Sequence, residues 1–268
     1  MACASTIYTH LDTVMLGFMT TNTDVGYYNA SVRIKSILIS IVTSLGTVLL
    51  PRASYYIEHG EIDEFRRISR KALNFVFLIA CPLMIYFIIF ARQGIYFLSN
   101  SAYEGAVVPM RIIMPTLLFV GITNITGIQI LVPMGKEIVV LRSEIGGAVT
   151  DIILNALLIP KMASAGAAIG TLAAEMVVLI IQYAALRNEV APAFKAIQYL
   201  KITAGIILAS AASFWVIRLS LGSFVTLLIS AVIFFAVYGG FLLVTGEPLT
   251  REIITTLYKD LSSRFRKG

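Results

Sequence analysis

The segments DIILNALLIP at positions 151–160 and GAAIGTLAAE at positions 166–175 decide the fold. Both lie in apolar stretches long enough to cross a bilayer, separated by a short break at 160–164. Each stretch nevertheless contains a carboxylate, Asp151 in the first and Glu175 in the second. An ionisable group at membrane depth costs about 3 kcal/mol, so it usually faces a cavity or a partner. The pattern therefore predicts two consecutive membrane helices with polar sides turned towards the protein interior.

Helical spacing places the polar residues of each segment together. Asp151 and Asn155 share one face of the first helix, and Thr171 and Glu175 share one face of the second. Small residues repeat every fourth position from 166 to 174, a pattern that lets two helices approach closely. Two interpretations remain open: a functional polar cavity, or a packed hairpin whose polar groups bond only one another.

The composition is that of an integral membrane protein. The chain is 58% hydrophobic and 13% charged, whereas soluble domains are about 45–50% apolar and about 25% charged. Two isolated cysteines, Cys3 and Cys81, give neither a disulfide framework nor a zinc site. The net charge of +6 is explained by Lys- and Arg-rich cytoplasmic connections, so we expect no nucleic-acid partner.

The apolar stretches predict about eight transmembrane helices in an all-α fold. With residue 1 inside, the connections and tail that face the cytoplasm hold most of the 21 Lys and Arg residues. The positive-inside rule therefore favours cytoplasmic positions for both termini. The predicted spans are 3–20, 34–56, 72–91, 109–132, 138–159, 163–186, 200–219 and 223–244.

Polar candidates also occur in three other predicted spans. Asp12 lies inside the first span. Arg33 and Lys35 open the second, and a stripe of hydroxyls that includes Ser40 follows Arg33 at helical spacing. Asn124 lies in the fourth span, which prolines interrupt, and broken helices often line transporter binding sites.

The motifs of enzymes are not visible in the sequence. We find no Asp-rich prenyl-diphosphate motif, no nucleotide-binding glycine loop and no Ser/His/Asp set at useful spacing. His10 has no second metal ligand at helical spacing, so we expect no metal site. The sequence therefore predicts a transporter with no catalytic residues.

Five motifs together resemble a known superfamily. They are D-x3-N-x4-P at 151–160, G-A-A-I-G-T-x3-E at 166–175, D-x3-L-G at 12–17, VGYYNAS at 25–31 and LLPR at 49–52. This set is similar to the multidrug/oligosaccharidyl-lipid/polysaccharide (MOP) exporter superfamily, and within it to the Wzx-like polysaccharide flippases.

The resemblance implies the architecture of a second transporter lobe. Residues 1–186 would form that lobe with six transmembrane helices, 187–245 would add two helices, and 246–268 would form a basic amphipathic cytoplasmic tail. A first lobe of six helices would come from the same polypeptide or from a separate chain.

The resemblance also implies a function. The substrate would be an undecaprenyl-pyrophosphate-linked oligosaccharide, as in O-antigen synthesis, flipped across the cytoplasmic membrane among the membrane lipids. Substrate-binding candidates are Arg33, Lys35, Ser40 and Asn124, with the two basic groups suited to pyrophosphate. Residues that could carry a coupling H⁺ or Na⁺ are Asp12, Asp151, Asn155 and Glu175.

Alternatives remain for both the residues and the function. Arg33 and Lys35 could simply reach from a helix end to the membrane surface. Within the superfamily, cation-coupled drug antiport and lipid II flipping are the other hypotheses. A further hypothesis is a non-transporting membrane partner of a polysaccharide-synthesis complex. No other cofactor is expected.

Overall fold

The computed structural model describes residues 2–44, 46–219, 222–251 and 255, without the side chains of 2–10 and 46–48. The regular structure in these ranges is helical, which confirms the predicted all-α class. Most of the predicted tail, 246–268, lies outside them. The α-helices are α1 (Ala2–Met19), α2 (Asn22–Thr43), α3 (Gly46–Glu58), α4 (Ile62–Ile89), α5 (Ala91–Leu98), α6 (Val107–Ile113), α7 (Thr116–Thr123), α8 (Glu137–Ala185), α9 (Arg187–Lys195), α10 (Tyr199–Phe214) and α11 (Ser223–Val244). Two 3-10 segments (Ser101–Ala106 and Trp215–Leu219) and a π-helical stretch (Asn124–Leu131) connect some of them.

The 49-residue α8 is a hairpin with two arms, 137–162 and 164–185. The backbone reverses at Ala163, whose φ of 47° and ψ of −127° are not helical. A Cβ atom at Gly166 would lie 2.6 Å from the backbone carbonyl of Leu158 in the opposite arm. Only glycine fits this approach, so the small-residue repeat is where the two arms meet.

The predicted span 34–56 has the wrong boundaries. Its residues belong to two helices, because α2 begins at Asn22 and ends at Thr43, and α3 begins at Gly46. The start of α2 is set by a capping box: the Thr21 hydroxyl accepts from the Asp24 amide, and the Asp24 carboxylate accepts from the Thr21 amide, both at 3.3 Å. This local signal extends α2 by twelve residues beyond its apolar part.

The helix α4 joins a charged start to an apolar continuation. Residues 62–71 hold all of its charged side chains, and 72–89 hold none. The helices α10 and α11 pack against the apolar part, where the Tyr238 hydroxyl donates to the Leu78 carbonyl at 3.1 Å. The Tyr86 hydroxyl donates in turn to the Leu227 carbonyl at 2.7 Å. Buried tyrosines therefore join α11 to α4.

The predicted fourth span is a broken helix. Helix α6 and helix α7 with its π-helical continuation meet at a bend of 45°. Beyond the bend, a Cβ atom at Gly121 would lie 2.7 Å from Val42 and from Val76. The broken segment is therefore wedged between α2 and α4.

The described helices include several that could cross a membrane. Four are long and apolar enough, and the bent pair 101–113 and 116–131 would make a fifth. One of the four is α8, and either of its arms, at about 1.5 Å per residue, can match a hydrocarbon layer of about 30 Å. The chain is thus a multi-pass helical membrane protein.

Candidate functional site

A buried polar cluster lies where α1, α2 and the two arms of α8 meet. The Asp12 side chain is fully buried and accepts three hydrogen bonds. The Tyr28 hydroxyl donates to its Oδ2 atom, and the Thr171 hydroxyl donates to the same atom at 2.9 Å. Asn155 Nδ2 donates to Oδ1 at 2.6 Å. Side chains of α2 and of both arms of α8 therefore fix the orientation of this one carboxyl group.

Beside Asp12, the cluster contains oxygen atoms that the described residues leave unpartnered. Asp151 is fully buried and lies against the Asp12 carboxyl group, with which it can share a hydrogen bond only when one of the two acids is protonated. Neither Asp151 oxygen accepts a hydrogen bond from any other group of the described residues. The same is true of Asn155 Oδ1. A Cβ atom at Gly170 would lie 2.2 Å from Asn155 Oδ1 and 3.1 Å from Asp151 Oδ1, so glycine makes room for these oxygens. We call Asp12, Tyr28, Asp151, Asn155 and Thr171 the acidic cluster.

Two further charged groups face the acidic cluster. Lys35 of α2 is buried and interacts electrostatically with Glu175, Asp12 and Asp151. Glu175 of α8 is also buried and interacts with Asp151. Within the described residues, three buried carboxyl groups thus share one basic side chain. Isolated buried charges are costly, so this excess of acid suits a bound proton or a small cation.

A second buried cluster joins the same hairpin to the π-helical stretch. Gln182 Nε2 donates to the Ser143 hydroxyl at 3.1 Å across the two arms of α8. Gln182 Oε1 accepts from the Thr126 hydroxyl at 2.6 Å. We call Ser143, Thr126 and Gln182 the amide cluster. It is neutral, and each side chain in it has a hydrogen-bond partner.

The other predicted substrate residues lie apart from the acidic cluster. Arg33 and Ser40 are on an exposed side of α2, where the Ser40 hydroxyl donates to the Ser36 carbonyl at 3.0 Å. Asn124 opens the π-helical stretch and accepts from Gln129 Nε2 at 3.3 Å. The structure therefore brings Asp12, Lys35, Asp151, Asn155 and Glu175 together, and leaves Arg33, Ser40 and Asn124 outside that group.

Arg33 and Lys35, grouped together in the sequence analysis, lie on different sides of α2. Residues two apart on a helix do not share a face. The exposed Arg33 continues a row with Ser36 and Ser40, whereas Lys35 points among the carboxyl groups. The two basic groups consequently meet different environments.

Tyr28 was missed as a site residue by the sequence analysis. It is fully buried, and its hydroxyl lies 2.8 Å from that of Thr171 as well as against Asp12. Its presence in the VGYYNAS motif was the one available signal. Thr171 was placed on the polar face of its helix but was given no role, although its hydroxyl reaches Asp12.

Comparison with solved structures identifies the fold. The chain is similar to the lipid II flippase MurJ in its inward closed conformation, with a TM-score of 0.75 and 17% sequence identity. The match covers 96% of this chain and 52% of that one. The described architecture is therefore a MurJ-like helical fold.

Comparison of the sequence with family models and curated proteins identifies its relatives. Residues 2–108 match the family model described as polysaccharide biosynthesis protein. The chain is 25% identical to "Probable flippase AglR" of Haloferax volcanii over 166 residues, and 24% identical to a protein of Escherichia coli K12 named as an O-antigen transporter over 186 residues. It is 30% identical over 179 residues to an uncharacterized membrane protein of Methanocaldococcus jannaschii. These matches confirm the resemblance to the Wzx-like polysaccharide flippases of the MOP superfamily.

The chain spans less than half the length of these curated relatives. The matches cover 66%, 62% and 69% of this chain, but only 35%, 35% and 45% of the M. jannaschii, H. volcanii and E. coli proteins, respectively. Two of the relatives are named as a flippase or a transporter, and neither name is that of an enzyme.

Proposed function

We propose that this chain is part of a flippase that moves an undecaprenyl-pyrophosphate-linked oligosaccharide across the cytoplasmic membrane for polysaccharide synthesis. One observation carries the proposal: a multi-pass helical protein similar to named flippases buries three carboxyl groups around Lys35. Such buried charge is costly to fold and typically marks an ion or substrate pathway.

The proposed architecture is that of a second transporter lobe with two additional helices. Residues 1–186 form the lobe with six spans, 187–245 add two spans, and 246–268 form the cytoplasmic tail, with both termini in the cytoplasm. A first lobe, in the same polypeptide or in a separate one, completes the transport path. The extent of the matches, 35–52% of each relative, supports this arrangement.

The topology is tested by labelling single cysteines in intact cells. In a variant with Cys3 and Cys81 replaced by serine, cysteines introduced at Gly60 and Lys161 should react on opposite membrane sides, with Gly60 inside. Both positions are exposed, so a membrane-impermeant maleimide should label the cysteine at 161 in intact cells and the cysteine at 60 only after the cells are permeabilised. Labelling of both from one side would refute the eight-span topology.

The acidic cluster is proposed as the coupling site for H⁺ or Na⁺, with the cation moving as a co-substrate. Na⁺ binds oxygen ligands, and the unpartnered oxygens of Asp151 and Asn155 beside Asp12 supply such a set. A proton would be held by the same carboxyl groups. Flipping measured in vesicles with imposed gradients of pH or Na⁺ distinguishes the two cations.

The exposed side of α2 is proposed to face the lipid-linked sugar. Arg33 there presents a guanidinium, and Ser36 and Ser40 follow it at helical spacing. Loss of one hydrogen bond to a charged group costs about 1.5–3 kcal/mol, or roughly 10- to 100-fold in binding. Arg33→Ala should therefore reduce glycan export by that factor at equal protein level, and Arg33→Lys should restore it only in part.

The export assay uses the full two-lobe protein in cells lacking the native gene. Glycan at the cell surface and lipid-linked precursor in the membrane are both measured. The expected result is loss of surface glycan with accumulation of precursor. Normal export from Arg33→Ala would remove Arg33 from the substrate path. The same cells test the alternatives, because lipid II flipping would alter peptidoglycan and drug antiport would alter drug sensitivity.

A further inference from the structure

The charged start of α4 lies at the depth of lipid headgroups. Residues 72–89 contain no charged side chain, and this 18-residue stretch is about 27 Å long at about 1.5 Å per residue. That length nearly fills a hydrocarbon layer of about 30 Å. The four basic residues of 62–71 therefore begin where the hydrocarbon ends, at the level of the lipid phosphates.

Three arginines of this segment line an open groove between α4 and α9. Arg66, Arg67 and Arg70 share one side of α4 because they are three and four residues apart. Asn188 and Pro192 of α9 lie across from them, and Asp63 of α4 also lines the cavity, which has a volume of about 570 Å³. We call this cavity the basic groove.

Within the described ranges, two of the three arginines of the basic groove are paired with carboxylates, and Arg70 is not. Arg66 pairs with Glu189 at 3.5 Å and with Asp63 at 4.0 Å, and Arg67 pairs with Glu64 at 2.5 Å. Arg70 forms no ion pair with the described residues, although it lines the groove. Each guanidinium carries five N–H donors, so all three arginines retain donors that can bind a phosphate.

A smaller cavity of about 190 Å³ adjoins the basic groove at Arg70. It is lined by Gln198, whose Oε1 atom is buried without a hydrogen-bond partner in the described chain. Glu247 also lines it and is held by Asn74 at 2.8 Å and by the Thr250 amide at 2.6 Å. The Glu247 carboxylate disfavours binding of an anionic group in this cavity, whereas Gln198 Oε1 can accept a hydrogen bond from a hydroxyl group.

We propose that the basic groove binds the phosphodiester headgroup of an anionic phospholipid that carries a free hydroxyl, such as phosphatidylglycerol. Arg66 and Arg70 hold the phosphate, and the headgroup hydroxyl donates to Gln198 Oε1. The acyl chains run beside the apolar part of α4. The position at the end of an uncharged 18-residue stretch favours a membrane lipid over a free phosphate. The site is separate from the acidic cluster, so the inference does not rest on the transport function.

The test measures lipid retention by the purified, delipidated full chain. Phosphatidylglycerol, phosphatidic acid or phosphatidylcholine is added in detergent, and bound lipid is counted by native mass spectrometry. Phosphatidylglycerol should be retained above phosphatidylcholine. Arg70→Gln should weaken its retention about fivefold, the usual contribution of one basic residue at a membrane surface. Arg187→Gln is the matched control, because Arg187 is exposed at the start of α9 and does not line the groove.

Two further comparisons decide the lipid and its orientation. Gln198→Leu should weaken retention of phosphatidylglycerol but not of phosphatidic acid, which has no headgroup hydroxyl. An equal loss for both lipids would overturn the assignment of Gln198. Inorganic phosphate at millimolar concentration should not displace phosphatidylglycerol; displacement would identify a free-anion site and overturn the proposal. Equal weakening by Arg70→Gln and Arg187→Gln would also overturn it, since it would show general surface charge rather than a groove.

Discussion

Two polar clusters are buried along the same hairpin, and they differ in charge and in hydrogen bonding. The amide cluster links Ser143, Gln182 and Thr126 through neutral, mutually paired groups. The acidic cluster places Asp151 against Asp12, and among the described residues Asp151 can form a hydrogen bond only with that carboxyl group, when one of the two acids is protonated. Packing alone explains the first cluster, because neutral side chains commonly join membrane helices.

This difference is our reason for proposing a function for the acidic cluster and none for the amide cluster. An unpaired buried polar group costs about 1–3 kcal/mol and a charged one costs more. Buried polar groups that lack donors, on a hairpin that elsewhere pairs its buried polar groups fully, are typical of a site that binds a ligand or an ion. The interpretation of the hairpin as mere packing therefore fits the amide cluster, and the cavity interpretation fits the acidic cluster.

The largest expected effect comes from Asp151→Asn. The substitution keeps the size of the side chain and removes its charge, and the new amide can donate to the unpartnered Asn155 Oδ1. The fold should therefore persist. A lost contact to a bound cation should lower cation-dependent flipping about 10- to 100-fold. Flipping measured in proteoliposomes of the two-lobe protein, with and without an ion gradient, checks this.

The control for Asp151→Asn is Glu137→Gln, which neutralises an exposed carboxylate at the start of the same helix. It should leave the ion dependence intact. Full cation-dependent flipping by Asp151→Asn would mean that the acidic cluster, like the amide cluster, has no role in cation coupling.

The site could be predicted from sequence only where local spacing defined it. Asp151 and Asn155 share a face by helical periodicity, so their common position was available from the sequence. Tyr28 was not, because it reaches Asp12 across a turn and Thr171 across 143 positions of the chain. Lys35 and Arg33 could not be separated by their residue types, since only tertiary packing shows which side of α2 is buried.

The fold was predictable to a similar extent. Two carboxylates and a small-residue repeat were enough to predict the hairpin, because small residues at every fourth position let two helices approach closely. The boundary between α2 and α3 was missed although Thr43, Ser44 and Gly46 mark it, because the small hydroxyl residues there continue the stripe that follows Arg33. The capping box at Thr21 was a readable signal for the start of α2.

A smaller effect is expected from Gly170→Ala, which tests the space around the acidic cluster. The added Cβ would lie 2.2 Å from Asn155 Oδ1, so either the arm or the amide must move. Overpacking of this kind costs about 1–3 kcal/mol. We expect a lower melting temperature in detergent together with weakened cation dependence. Gly239→Ala in α11 is the matched control, because a Cβ there meets nothing within 4 Å. An unchanged melting temperature for Gly170→Ala would mean that the acidic cluster is not held tightly.

A still smaller effect is expected from Gln182→Leu, which removes the centre of the amide cluster. The Ser143 hydroxyl would still donate to the Val140 carbonyl at 2.7 Å, and the Thr126 hydroxyl to the Ile122 carbonyl at 3.1 Å. Interhelical side-chain hydrogen bonds in membranes contribute about 0.6 kcal/mol on average, with a maximum of about 1.7. Stability measured by unfolding in mixed micelles should fall within that range, and flipping by the two-lobe protein should remain at the wild-type rate. A loss of flipping comparable to that of Asp151→Asn would assign function to the amide cluster as well.

The smallest effect is expected from Ser143→Ala, and it gives the sharpest measure of what one neutral bond contributes. The substitution removes the acceptor of Gln182 Nε2, but Gln182 Oε1 keeps its bond from Thr126 at 2.6 Å. We expect a loss of about 0.6 kcal/mol or less in the free energy of unfolding.

In a double-mutant cycle with Gln182→Leu, the two substitutions should be less than additive, because both remove the same Ser143–Gln182 bond. The Ser143→Ala and Gly239→Ala pair, which shares no contact, should be additive within about 0.5 kcal/mol. A coupling energy well above about 1.7 kcal/mol would exceed the largest value expected of a neutral interhelical bond, and the amide cluster could then no longer be treated as ordinary packing.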